Sequence, residues 1–308
     1  MIPNKLKVDE QSQGVFVIAV TPFTTQGKID EQSLAQLVDF YLKVGVTGIT
    51  LLGMMGEAPK LTADEAAHVV ALVSRQVAGR IPIVVGVSSP GLAPMGELAR
   101  NVMALGASAV MVAPPSTLRT NEQILRYYQN VADELGDIPF VLQDFPLSTN
   151  VQISQQVLAE IINQIPTCVM LKHEDWPGLE KISYIREQCR PISILCGNGG
   201  LFLPEEMGRG ANGAMTGFGF PEMMVDVYQA CIDGQRYRAQ DLFDAYLPLV
   251  RYEQQPGLGL AIRKWILFQR GVIATPTMRH PFSELTAQAK AEIDYLMQRQ
   301  TKKLEEMN

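Results

Sequence analysis

The chain has 308 residues, 47% of them hydrophobic and 19% charged, with a formal net charge of −6. That balance allows a sizeable core, excludes a disordered polyelectrolyte, and offers no basic stripe to displace the counterions of a nucleic acid. No apolar run reaches membrane-spanning length, and the opening MIPNKLKVDEQSQG lacks the apolar stretch of a secretory leader, so a cytoplasmic protein without a membrane segment is expected.

Short, continuously apolar runs alternate with longer amphipathic stretches. The first strand is predicted over Gly14–Phe23, followed by a helix over Asp30–Val44 that carries Leu34, Leu37, Val38 and Tyr41 on one face. A second strand, Gly45–Gly53, precedes a helix over Thr62–Ala78 that opens on the capping box Thr62-Ala63-Asp64-Glu65. Strands over Ile81–Ser88 and Ser108–Pro115 follow, then a helix over Thr120–Leu135 with Asn121 available as its cap. Ile138–Pro146, a helix over Ser154–Gln164, Thr167–Glu174, Ile192–Asn198 and Ala211–Gly219 complete the series. Apolar runs without alternation suit parallel strands covered on both faces.

Eight such units fit a closed (β/α)₈ TIM barrel, a fold of ~250 residues. A doubly wound sheet would carry a glycine-rich turn after its first strand, where this chain reads VTPFTTQGKID; the run Gly197-Asn198-Gly199-Gly200 follows the seventh strand instead. The expected organisation is a barrel over 1–233, with a polar lead-in over 1–13. A C-terminal helical region over 234–308 (Tyr237–Val250, Gly257–Arg270, Leu285–Arg299) should pack on that barrel. Four cysteines without CxxC spacing and three scattered histidines argue against a disulfide framework and a metal site; Cys168 and Cys196 read as small buried hydrophobes.

Barrel sites form at the C-terminal ends of strands. Lys172 ends the apolar run Cys168-Val169-Met170-Leu171, and strand alternation can aim it into the barrel mouth. Apolar walls disfavour an ammonium and free the amine to condense with a carbonyl. A plainer alternative makes Lys172 a rim lysine paired with Glu174 or Asp175, both of which could instead cap the next helix. His173 should face the other way, and Met54 and Met55 suit packing.

The motifs Val20-Thr21-Pro22-Phe23, Leu52-Gly53-Met54-Met55-Gly56-Glu57, Asp144-Phe145-Pro146, Leu171-Lys172 and Gly197 occur in one order. Together they resemble the dihydrodipicolinate synthase / N-acetylneuraminate lyase family of Schiff-base aldolases over nearly the whole chain. The resemblance implies Lys172 as the Schiff-base nucleophile, a small 2-oxo acid as substrate, no cofactor, and a homotetramer. The chain departs from the family's synthases, however. Met54 and Met55 stand in the threonine slots, Gln143 and Ser116 in the tyrosine slots of the proton relay, and Ser148 where an arginine grips the substrate's carboxylate.

Gln143-Asp144, Glu174 two residues after the lysine, Ala214-Met215-Thr216-Gly217 and Gly271-Val272-Ile273-Ala274…Arg279-His280-Pro281 are similar to the 2-keto-3-deoxy sugar acid dehydratase branch, notably 2-keto-3-deoxyarabonate dehydratase-like proteins. On that footing Lys172, Glu174 and Gln143 are the expected catalytic set. The substrate carboxylate is expected on backbone N–H groups of Gly53, Met54, Met55 and Gly56. Asp144, Ser116, Gly197, Asn198, Met215 and Thr216 are the other expected substrate contacts. Competing expectations are an aldolase that releases pyruvate, a true synthase, and a keto-acid-binding pseudoenzyme.

Overall fold

The computed structural model describes residues 6–176 and 178–307. Eight parallel strands close in sequence order: β1 (Gly14–Ile18), β2 (Gly48–Leu51), β3 (Ile83–Gly86), β4 (Ala109–Val112), β5 (Phe140–Asp144), β6 (Cys168–His173), β7 (Ser193–Cys196) and β8 (Gly213–Ala214). β8 pairs back with β1 through Gly14↔Gly213 and Val15↔Ala214, and this closure is the (β/α)₈ barrel expected. The strands are shorter than their apolar runs. β8 in particular spans only Gly213–Ala214, with Met215 N–H still donating to Cys196 C=O and Ile18 N–H to Thr216 C=O, both at 2.9 Å; farther on, Gly219 N–H donates to Glu253 Oε2 at 2.9 Å and Gly217 C=O accepts from Arg263.

Helix starts follow the local chemistry. Asp30 accepts from Ser33 N–H at 3.0 Å, and Thr62 and Glu65 form both bonds of their box, at 3.2 and 3.0 Å. In the helix Asn121–Leu135 the cap is Thr120, not Asn121. Thr120 Oγ1 accepts from Gln123 N–H and Gln123 returns a bond to Thr120 N–H, a reciprocal pair that outcompetes a lone asparagine.

Two apolar layers flank the strands. Outward residues such as Ile49, Val85, Val110, Leu142, Leu171 and Ile194 pack under the helices. Inside, Phe16, Ile18, Val84, Met111, Val141, Met170, Leu195 and Met215 fill the barrel, so it is a packed core rather than a pore. Phe16 fits because its neighbour is Gly48, where a Cβ would stand 2.4 Å from the ring. Val8, in the polar lead-in, is buried against this inner layer.

The C-terminal helices Arg236–Glu253, Gly259–Gln269 and Ala287–Glu306 fall close to their expected positions. Two buried cations on the middle helix tie it to the barrel. Arg263, paired with Glu253 of the preceding helix at 2.7 Å, donates to Gly217 C=O, and Lys264 reaches Thr21 C=O at 2.8 Å. Among the described residues no helix is long and apolar enough to cross a membrane.

Candidate active site

Strand alternation decides which groups share the mouth. Gln143 and Lys172 are register partners on β5 and β6, and Asp144 pairs with His173 one residue on, so the first pair faces inward and the second outward. Lys172 Nζ lies 2.9 Å from Glu174 Oε2, and Gln143 Nε2 donates to the same oxygen at 2.7 Å. All three side chains are buried. Glu174 is held by its backbone as well: its N–H donates to Asp144 C=O at 2.9 Å and its C=O accepts from Asn198 Nδ2 at 3.1 Å. It caps no helix, since the helix Leu179–Gln188 starts at Gly178 without a side-chain cap.

Gly197 makes room for this carboxylate. A Cβ there would stand 2.1 Å from Glu174 Cγ and 2.4 Å from Oε1. Asn198, with φ of +50°, and Gly199 continue the turn after β7, and Thr216 Oγ1 accepts from Gly199 N–H at 2.9 Å. Asn198 and Thr216 therefore brace the β6, β7 and β8 loops against one another, with the Thr216 hydroxyl hydrogen still able to donate.

Met54–Gly56 form a 3₁₀ turn beyond β2. Gly56 N–H closes it on Gly53 C=O at 2.9 Å, and Thr21 Oγ1 donates to Gly56 C=O at 2.6 Å. The N–H groups of Met54 and Met55 have no protein acceptor among the described residues, as at any helix start, and such a pair suits an anion. Met55 packs on the inner layer, and Met54 is 42% exposed.

Two expected substrate contacts lie outside the lysine–carboxylate–amide cluster, and a third is packed into the barrel interior. Asp144 is fully buried on the outer face of β5, where Oδ2 accepts from Lys181 at 2.7 Å and lies 3.5 Å from His173 Nδ1; its adjacency to Gln143 in sequence means opposite faces in a strand. Ser116 is exposed on the loop after β4, without a side-chain hydrogen bond to the cluster. Met215 is wholly buried within the inner layer, packed with core side chains, and its N–H donates to Cys196 C=O at 2.9 Å. His173 faces away from the lysine as expected, with Nε2 3.2 Å from Gly178 C=O.

The sequence reading passed over the anchor behind the β2 loop. Glu57, buried, binds Lys264 Nζ at 2.6 Å, Lys60 Nζ at 3.0 Å and Arg279 N–H at 3.0 Å. The Lys264 ammonium and the Arg279 guanidinium sit on Phe23, 4.5 and 4.6 Å from the ring centroid. Desolvation outweighs Glu57 and draws the Lys264 pKa down to about 8. The signal was present: Arg263-Lys264 interrupt an otherwise apolar helix, and a cation there needs a buried partner.

Residues 11–300 match the dihydrodipicolinate synthetase family. The chain is 31% identical over 290 residues to L-2-keto-3-deoxyarabonate dehydratase of Azospirillum brasilense, covering 91% of this chain and 92% of that protein. It is 32% identical over 244 residues to 4-hydroxy-tetrahydrodipicolinate synthase of Methanothrix thermoacetophila, covering 78% and 81%. A crystal structure of dihydrodipicolinate synthase from Rhodopseudomonas palustris superposes with a TM-score of 0.93 at 50% identity, covering 96% of this chain and all of that one. The family resemblance read from scattered motifs thus extends along the barrel and most of its C-terminal helices, and the chain belongs to the dihydrodipicolinate synthetase family of lyases.

Proposed function

We propose that the protein forms a Schiff base between Lys172 and a small 2-oxo acid and that its reaction is the dehydration of a 2-keto-3-deoxy sugar acid. One observation carries this reading. Three lysines are buried among the described residues: Lys181 has three acceptors (Asp144, Asp175 and Ile153 C=O) and Lys264 has three (Glu57, Thr21 C=O and Thr277 C=O). Among those same residues Lys172 has only the Glu174 carboxylate. An amine must lose a proton and keep its lone pair free to attack a carbonyl, and Glu174 is placed to take that proton.

The steps then follow. Lys172 Nζ bonds to C2, water leaves, and the resulting iminium acidifies the C3 protons. Glu174 removes one, giving an enamine, and the protonated Glu174 returns that proton to the C4 hydroxyl as the C3=C4 bond forms and water departs. Hydrolysis of the iminium consumes one water and restores Lys172, so the net change is loss of one water. Gln143, an amide without useful titration, orients the Glu174 carboxylate through Oε2. The free N–H groups of Met54 and Met55 suit the substrate's C1 carboxylate. The named dehydratase among the relatives supports this choice.

A second reading, condensation as in a true synthase, is favoured by the 50%-identical structure of that name. Against it, the three side chains in contact at the mouth are a lysine, a carboxylate and an amide, with no tyrosine relay among them. Borohydride trapping with pyruvate and 2-keto-3-deoxy pentonates and hexonates, read by intact mass and peptide mapping, tests the proposal. A reduced adduct on Lys172 carrying a dehydrated sugar acid is expected. A pyruvyl adduct from a sugar acid would show retro-aldol cleavage instead, and no adduct from folded protein would end the lysine mechanism. The homotetramer that the family resemblance implies belongs to the same reading and is checked by sedimentation.

A further inference from the structure

Lys181 is the third residue of the helix Leu179–Gln188, a place where a cation meets the positive end of the helix dipole. It is buried there, and its ammonium reaches the ends of two strands. Nζ donates to Asp144 Oδ2 on β5 at 2.7 Å and to Asp175 Oδ2 in the turn after β6 at 2.9 Å. A third bond, at 2.6 Å, goes to Ile153 C=O ahead of the helix Gln155–Gln164. One side chain thus ties three segments that reach 37 residues back along the chain.

These contacts lie on the outer side of the barrel, yet they bracket the base. Glu174 stands between His173 and Asp175, and both neighbours are fastened outward. His173 Nε2 lies 3.2 Å from Gly178 C=O, and its Nδ1 lies 3.5 Å from Asp144 Oδ2. Asp175 Oδ1 accepts from Trp176 N–H at 2.8 Å while Oδ2 holds Lys181. Gly178 lets this turn close tightly: a Cβ there would stand 2.8 Å from His173 Nε2 and 2.9 Å from the Asp175 carbonyl oxygen. With both neighbours held outward, the Glu174 side chain meets Gln143 at 2.7 Å and Lys172 at 2.9 Å through one oxygen. Without the Lys181 ammonium, Asp144 and Asp175 would be two buried carboxylates with no shared cation, and like charges there repel. Asp144 is fixed in the β5–β6 ladder, so the turn that bears Glu174 is the part that yields.

We infer that Lys181 is a positioning residue for the reaction. It touches no reacting atom and acts through Glu174, by drawing Asp144 and Asp175 together behind the turn that carries the base. The inference rests on the reading of Lys172 as nucleophile and Glu174 as base. A base displaced by about 1 Å loses on the order of 10²-fold in rate. A double-mutant cycle separates positioning from general support of the fold, because an effect that runs through Glu174 vanishes once Glu174 has lost its carboxylate. The readouts are kcat and KM for turnover of a 2-keto-3-deoxypentonate, with the borohydride-trapped adduct on Lys172 followed by mass.

Lys181→Met should lower kcat about 10²-fold with little change in KM, while the Lys172 adduct still forms. In a Glu174→Gln background the same substitution should lower kcat by less than about twofold. Asp175→Asn, which removes the partner on the turn itself and keeps its shape, should show the same pattern at about tenfold, and it decides the matter if Lys181→Met does not fold. Equal losses with and without the Glu174 carboxylate, or an undiminished kcat in either folded variant, overturn the positioning role while wild-type adducts on Lys172 still support the Schiff base. Absence of any adduct from folded wild type ends that reading and this inference together.

Discussion

Lys172 and Lys264 are both buried, both paired to a glutamate, and both close to the loops at the C-terminal end of the barrel, yet they are opposite kinds of site. Lys264 directs its ammonium at Glu57 and two carbonyls, at 2.6 to 2.9 Å, so every N–H is matched. Lys172 meets one carboxylate. At Lys264 desolvation outweighs the pairing with Glu57 and draws the pKa down to about 8. The proposed Schiff base at Lys172 rests instead on an amine whose donors are incompletely matched, beside a base.

The sharpest way to break this comparison is to exchange the fates of the two lysines by mutation. Lys172→Ala should abolish the trapped adduct and lower kcat/KM by on the order of 10⁴-fold or more, since the covalent intermediate is gone. A folded Lys172→Ala protein that still turns over would end the comparison. Next in size, Glu174→Gln should still form the imine, slowly, while kcat for water loss falls about 10²- to 10⁴-fold, the range of a general acid–base. Trapping with undiminished dehydration would remove Glu174 from the chemistry.

Lys264→Met should act on stability instead. It leaves Glu57 with Lys60 and one backbone N–H in a buried site, and a broken buried pair costs about 3–5 kcal/mol. The melting midpoint should drop sharply while, below it, the Lys172 adduct still forms. Loss of the adduct in folded Lys264→Met would show that the anchor reaches the chemistry.

The smallest effect sharpens the same lesson with a carboxylate. Glu206 is buried behind β7 near Cys196, its Oε2 has no partner among the described residues, and desolvation raises its pKa to about 7. With an ordinary value near 4.5 in the unfolded chain, the folded state holds a proton between pH 4.5 and 7 that the unfolded state has released. Stability should therefore fall as pH rises through that window, by up to ~3 kcal/mol, and level off above it. Glu206→Gln should flatten that slope and gain about 1–3 kcal/mol at pH 8. Urea midpoints at pH 5.5 and 8 check it, and an undiminished slope would remove Glu206 as its source.

Much of this protein was legible from residues alone, for reasons that are local. Continuous apolar runs identified all eight strands, because a parallel strand covered on both faces has no polar side. Thr62-x-x-Glu65 marked a helix start, because its two bonds close within four residues. Lys172 stood out as an amine near the end of an apolar strand, and Glu174, two residues on, fell within its reach. Asp144 was expected at the site from the Gln143-Asp144 motif of the resemblance, and the alternation of β5 sends its side chain to the outer face.

What tertiary structure decided was partnership across distance. Ser148 on Met54, Lys264 on Thr21 and Glu57, and the room that Gly197 leaves for Glu174 join segments from 23 to 243 residues apart. Side chains of one type differ in what they can do according to which donors and acceptors remain unmatched. That count depends on every element packed around a group, and periodicity along the chain carries no record of it.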